Sequence, residues 1–202
     1  MLVYNSRLLG TKILSLQASR PIGEITYSIV DPDKLKIIGF YLNGPLVPRE
    51  TNLLDARSIR EYSHLGAVID SDEELIEKDD VINIKKVLDL NFDLLNMKVI
   101  TKKGHRKLGK VVDFTVSSDN FSVLQLIVKR PTVKSLFDPV LTIPRSEIVE
   151  ITDYEIIIKD EEKTIMSKAA TEDFIPNFVN PFRSSEPSRT PAETENPAEL
   201  DN

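Results

Sequence analysis

The chain has 202 residues, 26 basic and 32 acidic, giving a net charge of −6, and 41% of it is hydrophobic, an ordinary balance for a globular protein. It contains no cysteine, which excludes disulfides, thiolate metal sites and cysteine nucleophiles. Its longest apolar runs, residues 35–42 and 123–128, are strand-sized and far short of the ~20 residues a membrane helix needs. The opening MLVYNSRLLGTKILSL lacks a signal-peptide pattern. A cytoplasmic protein without a transmembrane segment is expected.

The charge is uneven. Residues 1–90 carry 11 basic and 14 acidic groups, residues 91–168 carry 13 and 11, and residues 169–202 carry 2 and 7. The acidity therefore concentrates in the tail, and the second half of the body is slightly basic.

An internal repeat organises the body. At a period of 86, Leu8, Leu9, Lys12, Arg20, Gly23, Val30 and Asp33 fall on Leu94, Leu95, Lys98, Arg106, Gly109, Val116 and Asp119. Aliphatic positions coincide around these identities: Ile22 and Ile25 with Leu108 and Val111, Phe40 and Leu42 with Leu126 and Val128. Each copy reads as β. A first strand (11–16, 97–101) leads through a polar turn (17–21, 102–107) to Gly23 or Gly109. The glycine suits a bulge or a close backbone crossing. A second strand follows (24–30, 110–116), then an Asp/Ser/Asn turn (31–34, 117–120), whose side chains bond their own backbone. A third strand (35–42, 121–128) completes a meander.

The later parts match more loosely, at an offset of 88 or 89. Residues 140–144, 145–151 and 154–159 in copy two correspond to 46–48, 57–59 and 67–70 in copy one. Residues 81–88 read as a further strand near the junction. Helix is scarce, with a turn or so expected in 55–62 and 145–149. From Arg183 the chain is rich in Pro, Ser, Thr and Glu, a composition that cannot bury enough apolar surface to offset its ordering entropy.

Four patterns carry a family resemblance: the opening strand and hairpin MKVITKKGHRKLGKVVDF at 97–114; the aliphatic-Gly-x-aliphatic step of Leu108-Gly109-Lys110-Val111 and Ile22-Gly23-Glu24-Ile25; the Asp/Ser turn before an aliphatic strand; and Ile143-Pro144-Arg145-Ser146-Glu147-Ile148 before a β-branched strand. On these the repeat unit resembles the PRC-barrel, the small β-barrel of the photosynthetic reaction-centre H subunit and of the C-terminal half of the RimM ribosome-maturation factors. It covers residues 7–70 and 93–161. In copy one Asp55-Ala56 stands where the Ile-Pro would be. The resemblance implies an all-β fold of two tandem small PRC-type barrels with a disordered C-terminal tail: residues 1–90, 91–168 and 169–202. It also implies an adaptor or assembly role, since no catalytic residue set belongs to this barrel.

Candidate binding residues follow from charge and aromatic placement. Lys102, Lys103, Arg106, Lys107 and Lys110 cluster with His105, and Lys129, Arg130 and Lys134 follow the third strand. Residues 98–145 hold ten basic and three acidic groups, so this face could meet RNA phosphate or an acidic protein surface, or the chain's own acidic tail. The plainer alternative is a hairpin tip guarded by lysines against edge pairing. Phe174, Phe178 and Phe182 flank Pro176 and Pro181 and read equally as a docking motif or as aromatics packed on the body. The acidic run Asp70, Asp72, Glu73, Glu74 lacks the glycine and glutamate of a calcium loop, with Leu75 and Val81 in their places. His64 and His105 stand 41 residues apart, too isolated for a metal site.

No catalytic constellation, cofactor or metal site is therefore expected. The expected function is a non-enzymatic adaptor with a protein partner, or a second copy of the chain; the alternative is an RNA- or ribosome-associated maturation factor that uses the basic face of copy two.

Overall fold

The computed structural model describes residues 1–131 and 139–160, and these lie within one compact unit. Lys134, Phe174, Phe178 and Phe182 fall outside the described residues. The first repeat contains β2 (Lys12–Ser15), β3 (Arg20–Asp31), β4 (Lys36–Asn43), β5 (Leu53–Asp55), β6 (Glu61–Ser63), β7 (Gly66–Ile69) and β8 (Leu75–Ile76). The second contains β9 (Lys98–Thr101), β10 (Lys107–Ser117), β11 (Val123–Lys129), β12 (Val140–Pro144), β13 (Ile148–Ile151) and β14 (Glu155–Ile158). Ahead of both stand β1 (Leu2–Tyr4) and a single helical turn, α1 (Asn5–Leu8); α2 (Ile82–Asp89) lies between the repeats.

The all-β expectation holds, and the repeat is visible in the hydrogen bonding. Sheet one runs β6-β7-β2-β3-β4-β5-β8, and sheet two runs β12-β11-β10-β9-β14-β13. In both, two hairpins form the meander and one parallel pair crosses back. Ile13 lies beside Ala67, and Val99 beside Ile156, an offset of 86 on one strand and 89 on the other.

The backbone repeats its exceptions as well. Gly10 and Asn96, Ser19 and His105, and Leu35 and Phe121 all have positive φ at a spacing of 86. Gly23 and Gly109 sit at matching register shifts. A Cβ on Gly23 would come within 2.7 Å of the Asn43 carbonyl oxygen, and one on Gly109 would press on the Lys129 carbonyl, the same place 86 residues on. The glycine is required by a neighbouring strand crossing too close for any side chain.

Three expectations need correction. Neither sheet closes into a barrel by hydrogen bonding. In sheet one β8 takes the free edge of β5; in sheet two Pro144 ends β12 without an N–H, and the 3-10 turn Arg145–Glu147 redirects the chain to pair with β14. The stretch 81–88 is not a strand: Val81 caps α2, which runs Ile82–Asp89. Its β-branched residues obscured a helical face in which Ile84 and Val87 pack on Ile29 and Leu53 of sheet one. The copy-one counterpart of β12 is β5 rather than residues 46–48: Phe40 pairs with Leu54 as Leu126 pairs with Ile143. Beyond these, β1, for which the repeat offers no counterpart, pairs with β10 of the second repeat, Val3 opposite Val116.

The repeats meet about a local two-fold axis. Lys36 and Ser122, 86 residues apart, form an antiparallel bridge. The Ile37 N–H donates to the Phe121 carbonyl at 2.9 Å and the Val123 N–H to the Leu35 carbonyl at 2.8 Å. Leu35 and Phe121 are buried beside this bridge, and the Phe121 ring meets Phe40 edge-on at 5.3 Å. One apolar cluster runs from Leu8, Ile13 and Ile37 through Leu94, Val99 and Ile156, so the two sheets share a core.

Gly109→Ala combines a positive φ with a backbone clash and should cost about 2–3 kcal/mol in chemical denaturation. Gly104→Ala, at φ +74 with nothing within 4 Å of its Cβ, should cost only about 1 kcal/mol.

Candidate functional site

The β9–β10 hairpin gathers much of the expected basic cluster. Lys102 and Lys103 lie in its turn, Arg106 just before β10 and Lys107 at its start, and all four are exposed. The turn is fixed from within: the Thr101 hydroxyl donates to the Lys103 carbonyl and accepts from the Arg106 N–H. The Lys103 N–H donates to the Asp160 carboxylate at 2.8 and 2.9 Å, which sets one acidic group against the basic tip. His105 takes the positive φ at the tip. Arg130 is half-buried just beyond β11.

Lys110 and Lys129 belong to a different arrangement, along the strands. In register, Lys98 on β9 stands opposite Lys110 on β10, and Lys110 opposite Lys129 on β11. Each is exposed and adjoins a fully buried valine, Val99, Val111 and Val128, so all three point outward from one face. Adjacent strands lie about 4.8 Å apart, so the row spans roughly 10 Å. Among the described residues no carboxylate lies within ion-pair distance of these three lysines. Glu155 occupies the next place along, beside Lys98 on β14. Like charges placed directly opposite on neighbouring strands cost stability, roughly 0.2–1 kcal/mol a pair.

The first repeat is an internal control. The same positions there are Lys12, Glu24 and Asn43, with Lys12 opposite Glu24 and Glu24 opposite Asn43. The fold accepts an attractive pair at this place, so the lysine row of the second repeat is not a requirement of the architecture. Sequence reasoning named Lys110 and Lys129 but missed Lys98. The overlay at period 86 held the signal, because it sets Lys12, Glu24 and Asn43 against the three lysines.

A cleft of about 640 Å³ opens beside the two-fold seam. Ala56, Ile59 and Tyr62 of the first repeat and Ile84 of α2 line it, together with Asn120 and Phe121 of the second. Its charged groups are largely paired: Arg57 Nη2 lies 2.6 Å from Asp55, Lys34 Nζ lies 2.8 Å from Asp31, and Arg60 pairs with Asp70. Burial alone would raise the Asp55 carboxyl, but hydrogen bonds from the Arg57 side chain and N–H outweigh it and hold the group below the ordinary range. Asp31 is lowered in the same way, burial being outweighed by bonds from Lys34 and the Asp33 N–H. These carboxylates stay ionised near neutrality, which suits them to holding cations rather than donating protons.

Elsewhere, burial and then the Asp93 charge raise the Tyr27 hydroxyl above its usual value. The acidic run forms a 3-10 turn, Asp72–Glu74, capped by the Ser71 hydroxyl. Among the described residues no cluster of three or more His, Asp or Glu has metal-binding geometry, and no helix is long and apolar enough to cross a membrane.

Asp55 also caps its 3-10 turn, so Asp55→Asn should cost about 1–2 kcal/mol at pH 7. Because the folded value is depressed, that stability is present above the unfolded value of about 4 and disappears as pH falls through the lower folded one. Urea unfolding should show the deficit at pH 7 and a smaller one at pH 2.5.

The sequence matches no protein-family model and no curated protein.

Proposed function

We propose that this protein is a non-enzymatic binding and assembly module, built from a tandem pair of PRC-type units and working in the cytoplasm, whose second repeat presents a cationic face to an anionic macromolecule. The observation that carries this reading is the row Lys98, Lys110 and Lys129 set against Lys12, Glu24 and Asn43. A stability cost confined to one of two equivalent places, and not required by the fold, is what selection for a partner leaves behind. The hairpin lysines extend the same basic character beyond the strands. The PRC-type assignment is supported by the residue patterns around Gly23 and Gly109 and by the matched backbone at those positions.

Two kinds of partner fit this face. An acidic protein surface agrees with the adaptor role. RNA is favoured by the regular row, which suits evenly spaced phosphates. Recognition of RNA here would rest mainly on the backbone, since the exposed large apolar residues of β10–β12, Val112, Leu124 and Val140, include no aromatic on which a base could stack; the exposed aromatics of this sheet, Tyr4 and Tyr154, lie on β1 and just before β14.

Fluorescence anisotropy with two probes, poly(U) and polyglutamate, tests the reading across about 50–200 mM salt. Changing Lys98, Lys110 and Lys129 together to Gln should weaken binding. With poly(U) it should flatten the log–log salt slope by about 2, three phosphates at roughly 0.7 each. Lys12→Gln should change neither quantity. Binding to polyglutamate alone selects the acidic protein, and binding to neither probe rejects the cationic face.

A further inference from the structure

The two-fold seam is symmetric in backbone but not in side chains, and the difference explains the cleft. On one side, Arg145 opens the 3-10 turn after β12 and reaches across to the β3–β4 turn of the other repeat. Its guanidinium donates from Nη2 to the Lys34 carbonyl at 2.7 Å and from Nη1 to the Leu35 carbonyl at 3.2 Å. Two donors of one planar fork thus meet two successive carbonyls, a geometry that guanidinium makes and ammonium does not.

On the other side the equivalent 3-10 turn, Ala56–Ser58, follows β5 at an offset of 89. The residue in Arg145's place is Ala56. The carbonyls in the places of Lys34 and Leu35 are those of Asn120 and Phe121, 86 residues on. Ala56, Asn120 and Phe121 all line the cleft. The cleft is therefore the site that Arg145 fills on the far side, left open because alanine cannot span it.

We infer that this cleft receives an arginine side chain presented by a partner protein, its guanidinium taking the place that Arg145 takes in the other repeat. The walls agree. Tyr62 and Phe121 lie edge-on at 6.3 Å and offer aromatic surface to a planar cation. The equivalent positions on the closed side are Ile151 and Leu35. Glu61, Asp119 and Asp55 place carboxylates in the cleft; of its cations Lys34, Arg57 and Arg60 are each paired to a carboxylate, and Lys36, in no ion pair among the described residues, acts through its charge on Asp55. The site is separate from the lysine row and shares no residue with it, so either can fail alone.

The test is a 1H–15N NMR titration of the full chain with the peptide Ac-Gly-Arg-Gly-NH2, using the citrulline and lysine peptides as controls. The arginine peptide should shift the amides of Ala56, Asn120 and Phe121 and bind roughly tenfold more tightly than the citrulline peptide, as expected for charge-assisted hydrogen bonds. Ala56→Arg should abolish those shifts by filling the site from within. Arg145→Ala, an exposed position, should open the second side: new shifts appear at Lys34 and Leu35, and bound peptide rises from one to two per chain. Absence of shifts at Ala56, Asn120 and Phe121, equal binding of the three peptides, or a folded Arg145→Ala protein with no second site would each overturn the inference.

Discussion

Two hydrogen bonds hold the architecture in register. The exchange between Ile37 and Phe121, and between Val123 and Leu35, ties the third strand of one repeat to that of the other. It constrains what surrounds it. Leu35 and Phe121 adopt positive φ, unfavourable for bulky residues, because only there does each carbonyl face the opposite repeat. Their side chains then enter the shared core, which repays the strain through apolar burial. The tips of two hairpins become the centre of the molecule, where an isolated hairpin would leave them in water.

Symmetry of the backbone makes the differences between repeats informative. Where both copies keep the same residue type, as at Gly23 and Gly109, geometry is the reason. Where they diverge at matched positions, geometry is excluded as the reason. Glu24 against Lys110 and Ala56 against Arg145 are of this second kind. One divergence creates a row of charge and the other an open cleft, and both lie at places the fold tolerates in either form.

Much of this was legible in the sequence, for identifiable causes. The meander strands announce themselves because inward aliphatic and aromatic positions such as Ile25, Phe40, Val111 and Leu126 recur at matched places in both copies between polar turns, and the glycines mark the crossings. The junction was not legible. Ile82, Ile84 and Val87 carry β-branched side chains that suit a strand equally well, and only sheet one beneath them selects the helical face. Nor could alternation reveal that the sheets stay open, since closure depends on which edge β8 finds. The lysine row was half seen, because Lys98 precedes the hairpin in sequence and joins Lys110 and Lys129 only through strand register. The cleft left no trace, being defined by a side chain that is absent from one copy.

The placement of β1 bears on how the protein is made. Leu2–Tyr4 precede the first repeat yet pair with Thr115–Ser117, more than a hundred residues later in the chain. Until β10 exists, that strand has no edge to join, and the helical turn behind it, whose Ser6 bonds Asp113, has no support. The first repeat thus emerges with its leading segment unsatisfied and completes only when the second is present. Separate expression of the halves would leave one with a stray strand and the other with a bare edge, complementary surfaces that would seek each other across chains. With its leading strand seated in the second sheet and one apolar core common to both, the repeated pair behaves as one folding unit rather than as two separable halves.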